Sequence, residues 1–331
     1  MTTEAFMNLT SRVIQCVIVS AALLSTFGLQ AQTFPNKPIR IVVPFAPGGN
    51  VDVTARVISA AMTKQLNQTV FVENKTGAGG KIGAESAIRS PADGYTLLMG
   101  SNSSLSVAPN LYSNWPYDPL TALAPITHLS SVPFVLITRP GLGVKSMADL
   151  VRMAKQKPGS LTMASAGSGT SNQLVGEFFQ SVTGTSFLHV PYKGAGPALL
   201  DVVAGRVDLL FDQVSSSSSH IEQGRVDALA VSSATRWKSM ANVPTFVESG
   251  LQGFVITNFT GLVAPQGTPV DVLEKLNQVA NAALQDEAVK KSFATMGVEG
   301  VGSSPQQFSA LIKDDLQRWA TLIKEKNIKL D

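Results

Sequence analysis

Two short stretches place glycines, hydroxyls and amides where a strand would hand over to a helix. They are Pro44-Phe45-Ala46-Pro47-Gly48-Gly49-Asn50-Val51-Asp52 and Ser165-Ala166-Gly167-Ser168-Gly169-Thr170. Glycine lets backbone approach a ligand closely, and the first N–H groups of a helix lack intrahelical acceptors. Their partial positive charge favours a carboxylate or phosphate, by about 0.3–1 kcal/mol per exposed helix end. One such loop alone is ordinary turn chemistry. Two at equivalent places in both halves point instead to paired cradles that grip the two ends of one small anion. Neither loop contains Lys or Arg, so recognition would rest on backbone N–H groups, hydroxyls and water.

Catalytic motifs do not assemble on the same segments. A phosphate-binding Walker loop would need glycine where Lys75 stands, and Ser or Thr where Ile82 stands. Asn172 replaces the third glycine of a dinucleotide fingerprint after Gly167 and Gly169. A nucleophile elbow around Ser168 would need glycines at Ala166 and Thr170. His128, His189 and His220 show no metal-ligand spacing, and no cofactor or metal site is expected. A serine hydrolase is the rival reading. It would require His189 or His220 within about 3 Å of the Ser165 or Ser168 hydroxyl. The Ser215–Ser219 run reads as a solvated loop or the start of a helix.

The elements that must hold these loops alternate. Ile39–Val43 is a β-branched strand, followed by helical spacing at Val53, Val57, Ile58, Ala61 and Met62. Val70–Glu73 and Tyr95–Met99 read as strands flanking a helix at Ile82–Arg89. The same grammar returns later. Strands at Leu161–Ala164, Phe187–Val190 and Val207–Phe211 alternate with helices at Ser171–Val182 and Pro197–Ala204. This alternation predicts an α/β fold with parallel sheets covered on both faces, in two domains. Near the C-terminus, Thr268-Pro269 predicts an N-cap with proline at the first helical position. Ser304-Pro305-Gln306-Gln307 predicts a capping box.

Composition excludes other classes. Of 331 residues only 15% are charged and 44% are hydrophobic, with a net charge of +3. No Lys/Arg run suggests nucleic-acid binding, and the chain is too apolar for disorder. A single cysteine, Cys16, excludes a disulfide framework and a thiolate zinc site. Arg12 precedes a mostly apolar run, Val13–Leu29, and Leu29-Gln30-Ala31 offers a cleavage point. Residues 1–31 therefore read as a signal peptide, and the exported chain keeps +3 with no cysteine.

Many segments together carry a resemblance. They include Ile41-Val42-Val43-Pro44-Phe45-Ala46-Pro47-Gly48-Gly49 with Asp52 and Arg56, then Val72-Glu73-Asn74-Lys75 and Gly77-Ala78-Gly79-Gly80. Pro91-Ala92-Asp93-Gly94-Tyr95-Thr96-Leu97-Leu98 and Ala164-Ser165-Ala166-Gly167-Ser168-Gly169-Thr170 continue the series. Val190-Pro191-Tyr192-Lys193-Gly194, Pro244-Thr245 and Ala264-Pro265-Gln266-Gly267-Thr268-Pro269 complete it. From about Pro35 on, the chain resembles the Bug (TctC-like) family, the periplasmic receptors of tripartite tricarboxylate transporters.

The resemblance implies a two-lobed periplasmic binding protein fold (a Venus flytrap) with two chain crossings and a ligand cleft between the lobes. Lobe 1 would comprise 32–133 and 256–331, and lobe 2 would comprise 134–255. The crossings would fall near Val132–Thr138 and Phe254–Gly261. It implies a monomeric, non-enzymatic periplasmic receptor for a small organic acid, with membrane permease subunits as partners and no nucleic acid. A ligand-sensing receptor that signals to a sensor kinase would use the same fold. Carried over residue by residue, Phe45, Ala46, Pro47, Gly48, Gly49, Asn50 and Asp52 would bind from lobe 1, with Ser101 and Asn102. Ser165, Ala166, Gly167, Ser168, Gly169 and Thr170 would bind from lobe 2, with Tyr192 and Asp212 on its wall. Two departures stand out: Gln173-Leu174 where relatives often have His-Leu, and Phe259 where they often have Trp. Both would alter the polarity and shape of the pocket.

Overall fold

The structure is a computed structural model that describes residues 34–112, 114–326 and 328. The expected leader, with Arg12, Cys16 and the cleavage point at Leu29-Gln30-Ala31, lies outside the described residues. The body from Lys37 onward makes one compact unit.

The first strand, β1 (Ile39–Val43), runs into the first glycine loop and then α1 (Asn50–Leu66). β2 (Val70–Asn74), α2 (Lys81–Ile88) and β3 (Thr96–Ser101) follow. β1 lies between β2 and β3, parallel to both. Ser103–Val107 then forms a π-helical turn, a form often found at functional sites. A long strand, β4 (Leu123–Thr138), leads to α3 (Met147–Gln156) and a second alternating set. That set comprises β5 (Thr162–Ser165), α4 (Ser171–Thr183), β6 (Leu188–Pro191), α5 (Ala195–Val203), β7 (Leu209–Gln213) and α6 (Val214–Glu222). β5 is parallel to both β6 and β7. After β8 (Asp227–Val231) and β9 (Thr257–Pro265) come α7 (Val270–Ala283), α8 (Glu287–Met296), β10 (Glu299–Gly300) and α9 (Pro305–Glu325).

The strands join in the order β2-β1-β3-β9-β4-β7-β5-β6. The two parallel blocks are therefore separated by antiparallel strands. β4 pairs with β9 from Leu123 to Pro133, then with β7 from Phe134 to Thr138. This antiparallel seam was not legible in the sequence. Its residues are almost all buried on both faces, with Thr127, Ser130 and Thr260 buried among the apolar ones, so no polar/apolar alternation marks it.

Both faces of the second block are covered. On β4 and β7, Phe134, Leu136, Leu209 and Phe211 enter one apolar cluster, while Val135, Ile137 and Leu210 enter another. That is the alternation a strand imposes. α9 ties the blocks together. Its Phe308 and Ile312 pack with Val42 and Leu98, while its Trp319 packs with Phe134 and Phe254.

The helix starts follow local chemistry. The Ser304–Gln307 capping box forms as the spacing predicts. At α7 the cap differs: Pro269 is the N-cap, and the Thr268 hydroxyl donates back to Pro265 O at 2.8 Å. The serine run is the start of α6, with Ser215, Ser217 and Ser218 buried rather than solvated. The Ser215 and Ser217 hydroxyls survive burial because Asn50 and Asp212 accept their hydrogen bonds.

Candidate functional site

Four helix N-termini meet at one narrow cleft of about 320 Å³, a volume that includes space open to solvent at its mouth. From the first block it is lined by Phe45, Ala46, Gly49, Asn50, Val51, Asp52, Ser101 and Ser103. Opposite them stand Ala166, Asn172, Ala195 and Gln213, with Asn258 from β9 at one side. Asn50 and Val51 open α1, Asn172 lies in the first turn of α4, Ala195 opens α5, and Gln213 is the N-cap of α6. Each helix start carries roughly half an elementary positive charge in its unpaired N–H groups. Among the described residues no Lys or Arg lines the cleft.

Within the first loop, the hydrogen bonds decide which groups face the cleft. The Asn74 amide donates to Phe45 O at 2.9 Å and to Asp52 Oδ1 at 2.8 Å. Gly48 N–H donates to Asp52 Oδ2 at 3.0 Å, so that donor is already used. Burial alone would raise the Asp52 pKa. The hydrogen bonds from Arg56, Gly48 and Asn74, with the Arg56 charge, more than offset it and hold the carboxyl below its usual range. Asp52 is therefore a neutralised strut of the loop. Asn50 is oriented by the Ser215 hydroxyl, which donates to its Oδ1 at 2.6 Å across the cleft. Its Nδ2 is buried with no partner among the described residues, as are Asn258 Nδ2 and Ser101 Oγ. Buried polar groups ordinarily find partners, so three such groups around one cleft mark where a ligand's acceptors would sit.

The second loop is held from behind. Thr170 is the N-cap of α4, and its hydroxyl donates to Gly167 O at 2.7 Å. Ser165 is fully buried, and its Oγ lies 2.7 Å from His189 Nε2. That distance meets the requirement set above for a hydrolase, but the hydrogen bonds run the wrong way. Gly169 N–H donates to Gln173 Oε1 at 2.8 Å, which turns the Gln173 amide nitrogen toward His189 Nδ1 at 3.3 Å. Nδ1 must then accept, Nε2 carries the proton, and Nε2 donates to Ser165. A general base needs that nitrogen free to accept. Gly167 N–H also donates to Ser165 Oγ at 3.1 Å, and an amide stands where a carboxylate would orient the imidazole. The arrangement braces a loop.

The structure brings together Phe45, Ala46, Gly49, Asn50, Asp52, Ser101 and Ala166 from the residues read off the sequence. Others stand one layer away. Pro47 and Gly48 press against Gly196, Gly79 lies against Ser168 O, and Gly169 lies against the Tyr112 ring. Asn102 is fully buried beside Ser101, and its amide has no partner among the described residues. Two proposed wall residues are not brought to the cleft. The Tyr192 hydroxyl donates to Asp201 at 2.6 Å. Asp212 lies on the Leu210 face of β7, where its Oδ2 accepts from Ser216 and Ser217. Burial pushes the Asp212 pKa up to about 6. Phe259 also faces away from the cleft, edge-on to His128 and Phe308 within the core.

Sequence reasoning missed Ser103, Asn172, Ala195, Gln213 and Asn258. A signal existed for Ala195, because Lys193-Gly194-Ala195 is a third strand-to-helix junction. Lys193 O accepts from Ala46 N–H at 2.9 Å, which joins that junction to the first loop. Ser103 likewise touches α4, with its hydroxyl 2.8 Å from Ser171 Oγ and 3.0 Å from Ser171 N. Among the described residues no acid–histidine cluster could hold a metal, and no helix is long and apolar enough to cross a membrane.

Comparison with known proteins agrees with this architecture. Protein BugT of Bordetella pertussis (strain Tohama I) is 38% identical over 329 residues, covering 98% of this chain and 100% of the relative. An R. palustris protein solved with adipate is 32% identical with a TM-score of 0.86, over 89% of this chain and 99% of that one. MatC of Rhodopseudomonas palustris, solved with bound malate, is 30% identical with a TM-score of 0.85, over 88% of this chain and 100% of that one. Residues 54–328 match the profile described as the tripartite tricarboxylate transporter family receptor, TctC. With its two-lobed α/β fold and the cleft between the blocks, the chain belongs to that receptor family.

Proposed function

We propose that this chain is a periplasmic receptor that captures a small organic carboxylate in the cleft and delivers it to a tripartite tricarboxylate-type permease. The observation that carries the reading is the cleft itself. Four helix N-termini converge there with the partnerless Asn50 and Asn258 amide nitrogens, and no protein cation lines it. Such a site offers many donors and no counter-charge, which suits the delocalised charge of a carboxylate. The relatives solved with adipate and malate support the same ligand class. Lobe boundaries near Pro133 and Ile256 are supported by the change of β4's partner after Pro133. Few residues would then need to rotate for the lobes to close.

A thermal-shift screen of residues 32–331 with a panel of organic acids, sugars and cations tests the proposal. A ligand at about a hundred times its Kd stabilises the fold by roughly 2.7 kcal/mol. Stabilisation by acids of the adipate or malate kind is expected. A sugar or cation that stabilises while every acid fails would overturn it.

A further inference from the structure

We propose that His189 is a positioning residue, held by Gln173 in its Nε2–H tautomer, and that its protonation loosens the second glycine loop. The chain of hydrogen bonds leaves one consistent assignment. Gly169 N–H can only donate, so Gln173 Oε1 accepts and its amide nitrogen faces His189 Nδ1. The ring proton then sits on Nε2, which donates to Ser165 Oγ. The Ser165 hydroxyl is left with Gly167 O at 3.2 Å as its acceptor, while it also receives Gly167 N–H. The relay begins and ends on glycines of one loop, and both have positive φ, 134° at Gly167 and 77° at Gly169. A loop of that conformation is set by its hydrogen bonds more than by side-chain packing.

A second proton on the ring would place an N–H donor against the donor amide of Gln173. The amide would have to turn over, and Gly169 N–H would lose its acceptor. Burial alone holds the His189 pKa below its ordinary value of 6.5, so the neutral ring is the resting form. Charged neighbours are few. β5 and the rest of β6 carry none, and Glu177 is the one charged residue of α4. Asp201 on α5 is tied to Tyr192 and Arg206. The loop is thus ordered above the histidine's titration and loosened below it. The ligand consequence rests on the receptor reading above, whereas the tautomer does not.

Isotope-labelled histidine in residues 32–331, read by long-range proton–nitrogen spectra between about pH 5 and 8, tests the relay without any ligand. Loss of one signal set in His189→Gln assigns the ring. The expected result is an Nε2-protonated neutral ring, with tautomer mixing in Gln173→Leu. An Nδ1–H ring, or a tautomer indifferent to Gln173→Leu, would overturn the proposal. Calorimetric titration with malate and adipate adds the functional arm. Wild type should lose affinity on acidification by a larger factor than His189→Gln, whatever the variant's affinity at neutral pH. Equal pH ratios would refute the coupling. If neither acid binds, the receptor reading fails while the spectra still decide the relay.

Discussion

Gly196→Ala should weaken ligand binding without weakening the fold. Gly196 lies in the first turn of α5 with helical backbone, so alanine adds no strain there. Alanine in place of a helical glycine is favourable by up to about 1 kcal/mol. The added Cβ, however, would meet the opposite side of the cleft. It would overlap Pro47 O and lie 3.1 Å from Pro47 C and 3.2 Å from Gly48 C. Carbon atoms pack best at about 3.5–4.0 Å, so the first loop must retreat by a few tenths of an ångström at carbon and further at oxygen. Overpacking of this kind costs about 1–3 kcal/mol. Where the proposed closure of the lobes over ligand makes this contact, the cost falls on the liganded form and corresponds to roughly 5- to 150-fold weaker binding. Calorimetry with the acid that stabilises wild type measures the loss. The unliganded Tm, measured in parallel, should hold or rise. Wild-type affinity in the variant, or a fall in unliganded Tm as large as the loss of binding, would refute closure through the Gly196–Pro47 contact.

Further outcomes follow from the same geometry. Asn50→Asp replaces the inward-facing amide nitrogen with a carboxylate oxygen; losing a hydrogen bond to a charged ligand costs about 1.5–3 kcal/mol, so affinity by calorimetry should fall at least about tenfold. Burial pushes the Asp212 pKa from its ordinary 3.8 up to about 6. The folded state therefore holds a proton that the unfolded state has released, and this contribution to stability falls as pH rises from about 4 to 6, by roughly 3 kcal/mol. Denaturant titrations should show Asp212→Asn gaining on wild type across that window, and parallel curves would contradict the assignment. Ser165→Ala leaves Gly167 N–H and His189 Nε2–H without their acceptor and should lower stability by about 1–3 kcal/mol. A serine-directed phosphonate should leave wild-type Ser165 unlabelled in mass spectra, and stoichiometric labelling would mean that the pair is a nucleophile and base after all.

Residues 44–52 announced their role in the sequence because a strand, glycines and an amide at a helix start constrain the backbone locally. The same grammar placed Ser165–Thr170 and, within a residue or two, the strands of both parallel blocks. What stayed hidden depends on contacts across the chain. Asn258 reads as an ordinary β9 residue until β9 pairs with β4 and sets it in the wall of the same cleft as Asn50. Gln213 ends a strand, and although the serine run after it offered a helix start, nothing local marks Gln213 itself as facing the cleft. Asp212 and Tyr192 lie next to site residues in sequence, but strand alternation and a hydrogen bond to Asp201 turn them away. Phe259 looked like a pocket residue by its place in the family pattern, yet it packs on His128 and Phe308. Gln173 accepts from Gly169 N–H and faces His189 Nδ1, contacts that need β5, β6 and α4 assembled.

On the proposed reading, the quiet charge of the chain reaches into its cleft, where helix starts and amides would stand in for lysine and arginine. Calorimetric titration of residues 32–331 with adipate and malate, each beside its uncharged diamide, tests that claim most directly. If N–H donors and helix N-termini read the carboxylate charge, at least one acid binds and its diamide binds far more weakly or not at all, since only the ionised form gains the charge-assisted hydrogen bonds. A diamide that binds as tightly as its acid, or binds when neither acid does, would contradict it.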